Sequence, residues 1–249
     1  MSRAVLVTGS SRGIGAAVAA AFATDGDRVA VHYRSGRAEA EAVLAGLPGD
    51  GHTMVQADVA DADAVHRMVE EAADALDGID VLVNNAAVFR EHRIGEVDYA
   101  AWRAEWQQTL ETNLLGPANV VFCALPYLRR SGAGRVVNVS SRGAFRGEPN
   151  GPAYAASKAG LNAFGQSMAL VLAQYGIAVT TVAPGFVETA MGRLAMRGQR
   201  AAEVRGQSPF NRVARVDEIA AAVRYLASPE AEWASGAVLD LNGASYLRT

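Results

Sequence analysis

Along this chain, short apolar runs alternate with longer stretches in which apolar residues recur every three to four positions. The runs at 4–8, 28–33, 53–57, 79–83, 135–140, 177–182 and 237–241 are dominated by Val, Ala, Leu and Ile. Such runs predict strands buried on both faces, as in a parallel sheet. The amphipathic stretches at 13–25, 37–46, 61–76, 99–130, 152–175, 189–205 and 216–227 predict helices. Strand and helix alternating over this length predict an α/β fold, a doubly wound parallel sheet with helices on both faces. No linker, low-complexity tract or repeat interrupts the pattern, so one domain over 1–249 is expected.

In such a sheet, ligands bind beyond the C-terminal strand ends. Gly9, Asp58, Asn85, Ser141 and Pro184 all fall at or just past those ends. The first run is followed by Thr8-Gly9-Ser10-Ser11-Arg12-Gly13-Ile14-Gly15 and then an Ala-rich helical stretch. Strand, Gly-rich turn and helix together bring backbone N–H groups and a helix N-terminus to a pyrophosphate. The spacing is G-x-x-x-G-x-G, and a tight turn with no ligand is the other reading of it.

Tyr154 and Lys158 lie four residues apart in A-Y-A-A-S-K, with Ser141 thirteen residues upstream. On a helix, positions i and i+4 share a face. The ammonium of Lys158 is therefore expected near the Tyr154 phenol, where a cation favours phenolate and lowers a pKa that is ordinarily ~10. Ser141 ends the run V-V-N-V-S-S and is placed to hydrogen-bond the oxygen that Tyr154 protonates. This combination suits proton transfer to a carbonyl while a cofactor delivers hydride.

Bulk properties exclude several classes. A net charge of −3 leaves no nucleic-acid footprint. The single cysteine, Cys123, excludes an internal disulfide framework and fits a reducing compartment. His32, His52, His66 and His92 show no metal-ligand spacing, so no metal is expected. Met1-Ser2-Arg3 runs straight into the first strand, and no apolar run reaches the ~18 residues of a membrane span. A cytoplasmic protein is expected.

Taken together, T-G-x-x-x-G-I-G at 8–15, N-N-A at 84–86, Asn113, Ser141, Y-x-x-x-K at 154–158 and P-G at 184–185 resemble the short-chain dehydrogenase/reductase family over essentially the whole chain. The pattern is most similar to 3-oxoacyl-[acyl-carrier-protein] reductases. The resemblance implies a Rossmann-like sheet of strand order 3-2-1-4-5-6-7, catalytic Asn113, Ser141, Tyr154 and Lys158, and a substrate lid at about 186–212. Asn113 would position a water leading from the lysine, and Lys158 would also bind the nicotinamide ribose. Besides Gly9, Ser11, Arg12, Gly13, Ile14, Gly15 and Asn85, the implied cofactor contacts are Asp58 and Val59 at the adenine. Pro184, Gly185, Val187 and Thr189 would lie on the nicotinamide side. For Asp58, a helix cap for the stretch from Asp61 is the alternative.

Where dinucleotide enzymes that prefer NAD usually carry an acid after the second strand, this chain has Tyr33 and then Arg34. Arg34 and Arg12 can pair with a 2′-phosphate, which favours NADP(H) over two solvated surface charges. Two departures from the family pattern are Ala87, where Gly is usual, and Thr180, where Asn is common. Tyr175 stands where the reductases often place a basic residue that docks the carrier protein, with Arg129 and Arg130 nearby to compensate. The stretch from Ala87 to Asn113 is several residues longer than in those enzymes and carries Trp102 beside Trp106.

The expected reaction is reduction of a carbonyl, with a small molecule or an acyl thioester as substrate. Met191, Leu194, Met196 and Phe210 offer apolar lining. Arg90, Arg93, Arg142, Arg146, Arg193 and Arg197 offer a basic rim, or else solvated surface. The alternatives are an alcohol or sugar dehydrogenase working oxidatively, a catalytically silent dinucleotide-binding regulator, and a structural oligomer. The resemblance also implies a homotetramer built on the long fourth and fifth helices.

Overall fold

The structure, a computed structural model, describes residues 2–195 and 200–248. Its seven strands are β1 (Ala4–Val7), β2 (Arg28–Tyr33), β3 (Thr53–Gln56), β4 (Val81–Asn84), β5 (Arg135–Val139), β6 (Ala178–Pro184) and β7 (Val238–Leu241). They form one all-parallel sheet of order β3-β2-β1-β4-β5-β6-β7, the order that the resemblance implies.

Helices α1 (Gly13–Thr24), α2 (Arg37–Gly46) and α3 (Ala62–Leu76) follow the first three strands. Next come α4 (Tyr99–Leu110), α5 (Gly116–Ser131), the short α6 (Gly143–Arg146) and the long α7 (Pro152–Leu172). The last are α8 (Ala190–Ala195), α9 (Arg200–Gly206) and α10 (Val216–Leu226).

Side chains alternate across the strands, and both faces are buried. Leu6, Leu82, Val136 and Val179 pack against Met68 of α3 and Val120 and Leu128 of α5. Val5, Val7, Val83 and Val137 pack against Val18 and Phe22 of α1 and Ile219 and Val223 of α10. This explains the near-continuous apolar runs, because a strand with two buried faces has no solvent side to mark.

Several elements depart from the sequence reading. The predicted helix over 99–130 is broken by a π turn at Glu111–Leu115, centred on Asn113. Asn113 anchors that turn from inside: its amide donates to the Val88 carbonyl at 3.0 Å, and its Oδ1 accepts from the Val88 N–H at 2.9 Å. The predicted helix over 152–175 finishes as a 3-10 turn, Ala173–Tyr175. α6 and a 3-10 turn at Pro229–Ala234 are too short to show a periodicity. Of the stretch predicted helical at 189–205, residues 196–199 lie outside the described residues. So do the side chains of Arg193 and Leu194.

Candidate active site

Strand order reverses between β1 and β4, so their C-terminal ends open a crevice. The Gly-rich turn fills one wall. Gly9 and Gly13 have φ of +66° and +59°, a region costly for other residues. A Cβ on Gly15 would stand 2.4 Å from the Gly9 carbonyl oxygen and 2.6 Å from the Asn85 amide nitrogen. Asn85 braces the turn by donating to the carbonyls of Thr8 (2.9 Å) and Gly9 (3.1 Å). The Thr8 hydroxyl returns the contact, accepting from the N–H groups of Asn85 and Ala86.

Among the described residues no side chain caps the start of α1, and its first turn carries no acid. Its free N–H groups therefore point into the crevice as an anion site. The residues present fit a dinucleotide pyrophosphate. Thr189 faces Gly13 across the opening, since a Cβ on Gly13 would touch its methyl at 3.4 Å. Thr189 also caps α8, its hydroxyl accepting from the Gly192 N–H at 3.0 Å. Ser11 and Ile14 are half-buried beside the turn, Val59 and Val187 are buried, and Gly185 packs on Asn242.

A histidine that the sequence reading set aside holds this turn in place. The Gly9 N–H donates to His32 Nδ1 at 2.7 Å, and His32 Nε2 donates to the Ala57 carbonyl at 3.1 Å. His32 is 2% exposed, and burial pushes its pKa down to about 4. It is neutral, with its proton on Nε2.

At the adenosine end, Tyr33 is buried, and its hydroxyl donates to Gln56 at 3.3 Å. Arg34 and Arg12 are exposed. The guanidinium of Arg34 lies 3.8 Å from the Asp58 carboxylate. Asp58 does not cap α3: Asp61 does, accepting from the Ala64 N–H at 3.0 Å. The Asp58 carboxylate instead accepts from the Ala60 N–H, closing a tight turn that leaves it partly exposed beside Arg34.

Beyond β5 the structure brings Ser141, Tyr154 and Lys158 together. Their local folding is simple. Pro152 starts α7, whose first turns carry Tyr154 and Lys158 on one face. Ser141 follows β5, and its oxygen accepts from the Gly143 N–H at 3.0 Å. Lys158 is 2% exposed, and its ammonium donates to the Val139 carbonyl at 2.8 Å. It lies 5.8 Å from the centre of the Tyr154 ring.

The expected lowering of the Tyr154 pKa is not found. The hydroxyl end lies deep although the ring keeps some access to solvent, and burial pushes the phenol up to about 12. A hydrogen bond with Ser141 opposes that rise, and the negative charge of Glu148 adds to it. Burial also pushes Lys158 down to about 8. Desolvation is the largest effect on both groups, and the ammonium is committed to the Val139 carbonyl. Asn113 stands behind the pair, donating to the Ser157 hydroxyl at 3.2 Å, and that hydroxyl donates to the Tyr154 carbonyl at 2.7 Å.

The mouth is more aromatic and less freely basic than expected. Phe89 meets Tyr154 edge-on at 5.2 Å. His92, Trp102 and Trp106 continue the aromatic wall along the longer 88–113 stretch. Arg90 lies 3.7 Å from Glu105 and Arg93 3.4 Å from Glu96, so neither is a free rim charge. Arg142 is buried, and Arg197 and Met196 lie outside the described residues. Ala87 is not among the positive-φ residues and sits without strain. Thr180 is buried, its hydroxyl without a partner among the described residues. Among those residues there is no group of metal-ligating side chains, and no helix long and apolar enough to cross a membrane.

A glycine cradle at a topological switch point, beside a Ser, a Tyr and a buried Lys, defines a dinucleotide-dependent oxidoreductase. Residues 9–243 match the family model described as enoyl-(acyl carrier protein) reductase. A 3-oxoacyl-[acyl-carrier-protein] reductase of Staphylococcus aureus is 36% identical, with 99% of each chain covered. One from Vibrio cholerae is 35% identical over 98% of each. A short-chain dehydrogenase of Burkholderia cenocepacia, solved in complex with NADP, superposes with a TM-score of 0.88 at 34% identity, covering 98% of this chain and 97% of that one. A dehydrogenase/reductase of Sinorhizobium meliloti gives 0.90 at 29%, covering 99% and 96%. The chain belongs to the short-chain dehydrogenase/reductase family, enzymes that act through NAD(P)(H) on CH–OH and C=O groups.

Proposed function

We propose that this protein is an NADP(H)-dependent reductase that converts a carbonyl to an alcohol, with a 3-oxoacyl thioester as the leading substrate class. The observation that carries the reading is the Tyr154 phenol set beside Ser141, with the buried Lys158 ammonium 5.8 Å from the centre of the Tyr154 ring. When bound, the reduced dinucleotide supplies the hydride. Tyr154, a neutral phenol, hands its proton to the substrate oxygen, and the Ser141 hydroxyl holds that oxygen in place. Lys158 supplies a positive charge that stabilises the phenolate left behind. Asn113 fixes the π turn and the Val88 backbone, and we assign it the water-positioning role on the lysine side.

Arg34 and Arg12 support the preference for NADP(H), as does the NADP bound to the Burkholderia relative. The acyl-carrier reading is supported by the two reductases named above and by Arg129, whose guanidinium lies 4.1 Å over the Tyr175 ring. That stacking puts a cation where Tyr175 itself offers none. An oxidative alcohol or sugar dehydrogenase uses the same groups in reverse, and the cellular NADPH/NADP⁺ ratio decides between them. Within this reading the chain is one cytoplasmic domain with a lid at 186–212. It assembles as a homotetramer through α5 and α7, which expose Phe122 (78%) and Leu170 (84%). Ketones, 3-oxoacyl thioesters and keto sugars assayed with NADPH test the proposal. A flat panel with tight NADPH binding would leave the regulator as the better reading.

A further inference from the structure

One charged group inside the protein has no role in the chemistry above. Arg142 follows Ser141 directly, and it is only 3% exposed. Its guanidinium lies 4.7 Å over the Phe186 ring. Of five guanidinium donors, one is given to the Ser245 hydroxyl and one to the Gln207 side-chain carbonyl at 2.5 Å. Both partners are neutral. Among the described residues no carboxylate pairs with Arg142. Buried arginines are ordinarily paired with an acid, since an isolated buried charge is costly.

The charged groups around it do not cancel that charge. Arg146 approaches from the same turn and shares Gln207 at 3.3 Å, which adds positive charge. Glu148 acts on Arg142 through space, but burial drives its own carboxyl toward the neutral form. Burial and Arg146 together push Arg142 down to about 10. At the far end of the same cavity, Arg212 and Glu218 already satisfy each other at 2.6 Å.

Arg142 lines a cavity of about 210 Å³ behind the Pro184–Phe186 turn. Its lining includes the apolar Val204, Phe210 and Leu241 and the polar Ser208, Asn242 and Ser245. At about 30 Å³ per water-sized group, the volume holds roughly six or seven non-hydrogen atoms.

We propose that this cavity, whose lining does not include Ser141, Tyr154 or Lys158, is a binding site for a small aliphatic carboxylate, with Arg142 as its recognition residue. The carboxylate takes the place of the Gln207 carbonyl and pairs with the guanidinium through its two oxygens, the geometry that suits a planar fork. Its short alkyl chain lies against Val204, Phe210 and Leu241. Because Arg142 joins the strand end that carries Ser141 to Gln207 and to the C-terminal Ser245, ligand here ties three separate parts of the chain together.

Butyrate is the probe, with butyramide as the neutral control of the same shape, both titrated against the full chain at constant ionic strength. For the unaltered protein, butyrate should raise Tm saturably, by roughly 5–10 °C at a hundred-fold excess over Kd. Butyramide should not. Arg142→Gln should lose the response. Gln207→Glu supplies the carboxylate from the chain itself, so it should raise Tm without ligand and abolish the butyrate response. Three results would each overturn the site: equal responses to butyrate and butyramide, no saturable response in the unaltered protein, or an undiminished butyrate response in Gln207→Glu. The last still tests the site if Arg142→Gln does not fold.

Discussion

The Gly9 N–H donates to His32 Nδ1 at 2.7 Å, so a buried imidazole on β2 sets the first turn of the dinucleotide cradle. The other ring nitrogen holds the Ala57 carbonyl, one residue before Asp58. One side chain thus couples the Gly-rich turn to the segment leading into Asp58.

We expect His32→Leu to leave the Gly9 N–H and the Ala57 carbonyl unpartnered, at about 1–3 kcal/mol for each. NADPH Kd, measured by fluorescence titration, should rise at least about ten-fold, with kcat at saturating cofactor changed much less. His32→Gln, which keeps an acceptor and a donor, should recover part of the affinity. A fall in kcat with Kd unchanged would remove His32 from the cradle.

The same residue sets an acid limb of stability. Its folded pKa of about 4 lies below the ordinary 6.5, so between those values the unfolded chain binds more protons than the folded one. Stability should therefore rise with pH across that window, by up to about 3 kcal/mol from this group. Urea titrations at pH 4.5 and 7 should show this slope flattened in His32→Gln. An unchanged slope would assign the limb to other groups.

Lys158 is held charged in a site that disfavours charge. Its folded pKa of about 8 is below the ordinary 10.5, so its cost is fully present at pH 7 and is relieved as pH rises through that interval. Lys158→Met keeps the length of the side chain and removes the ammonium. Even after losing the Val139 contact, the variant should gain about 1–2 kcal/mol, seen as a Tm higher by roughly 2–6 °C. Its turnover should collapse. A lower Tm would mean the ammonium stabilises the fold as well as serving the site.

Arg34→Ala should raise the NADPH KM about ten- to a hundred-fold, the usual range for losing one charged hydrogen bond. The NADH KM should move little. The Asp58 carboxylate at 3.8 Å tempers the gain, so Arg34→Ala with Asp58→Asn should restore part of the loss. Equal kcat/KM for the two cofactors in the unaltered protein would refute the preference.

Much of this was legible in the chain because the central strands are buried on both faces and leave unbroken apolar runs. The joint spacing of Gly9 to Gly15, Ser141, Tyr154 and Lys158 then placed the site at the strand ends. His32 was not legible, since a lone histidine in an apolar strand is the same letter whether it fills space or holds a turn. The Tyr154 environment was missed for a related reason: spacing tells which groups are close but not how much solvent they lose. The π turn at Asn113 escaped because one inserted residue barely shifts a helical period. Arg142 looked like a rim charge because the residue after a strand can face either way.

The most direct test of the central claim is Tyr154→Phe, which deletes one oxygen and leaves the ring against Phe89. With NADPH binding confirmed by titration, kcat for carbonyl reduction should fall by about 10²–10⁴-fold or more, while NADPH Kd stays within about two-fold. Turnover near that of the unaltered protein, with cofactor still bound, would contradict the assignment of Tyr154 as proton donor.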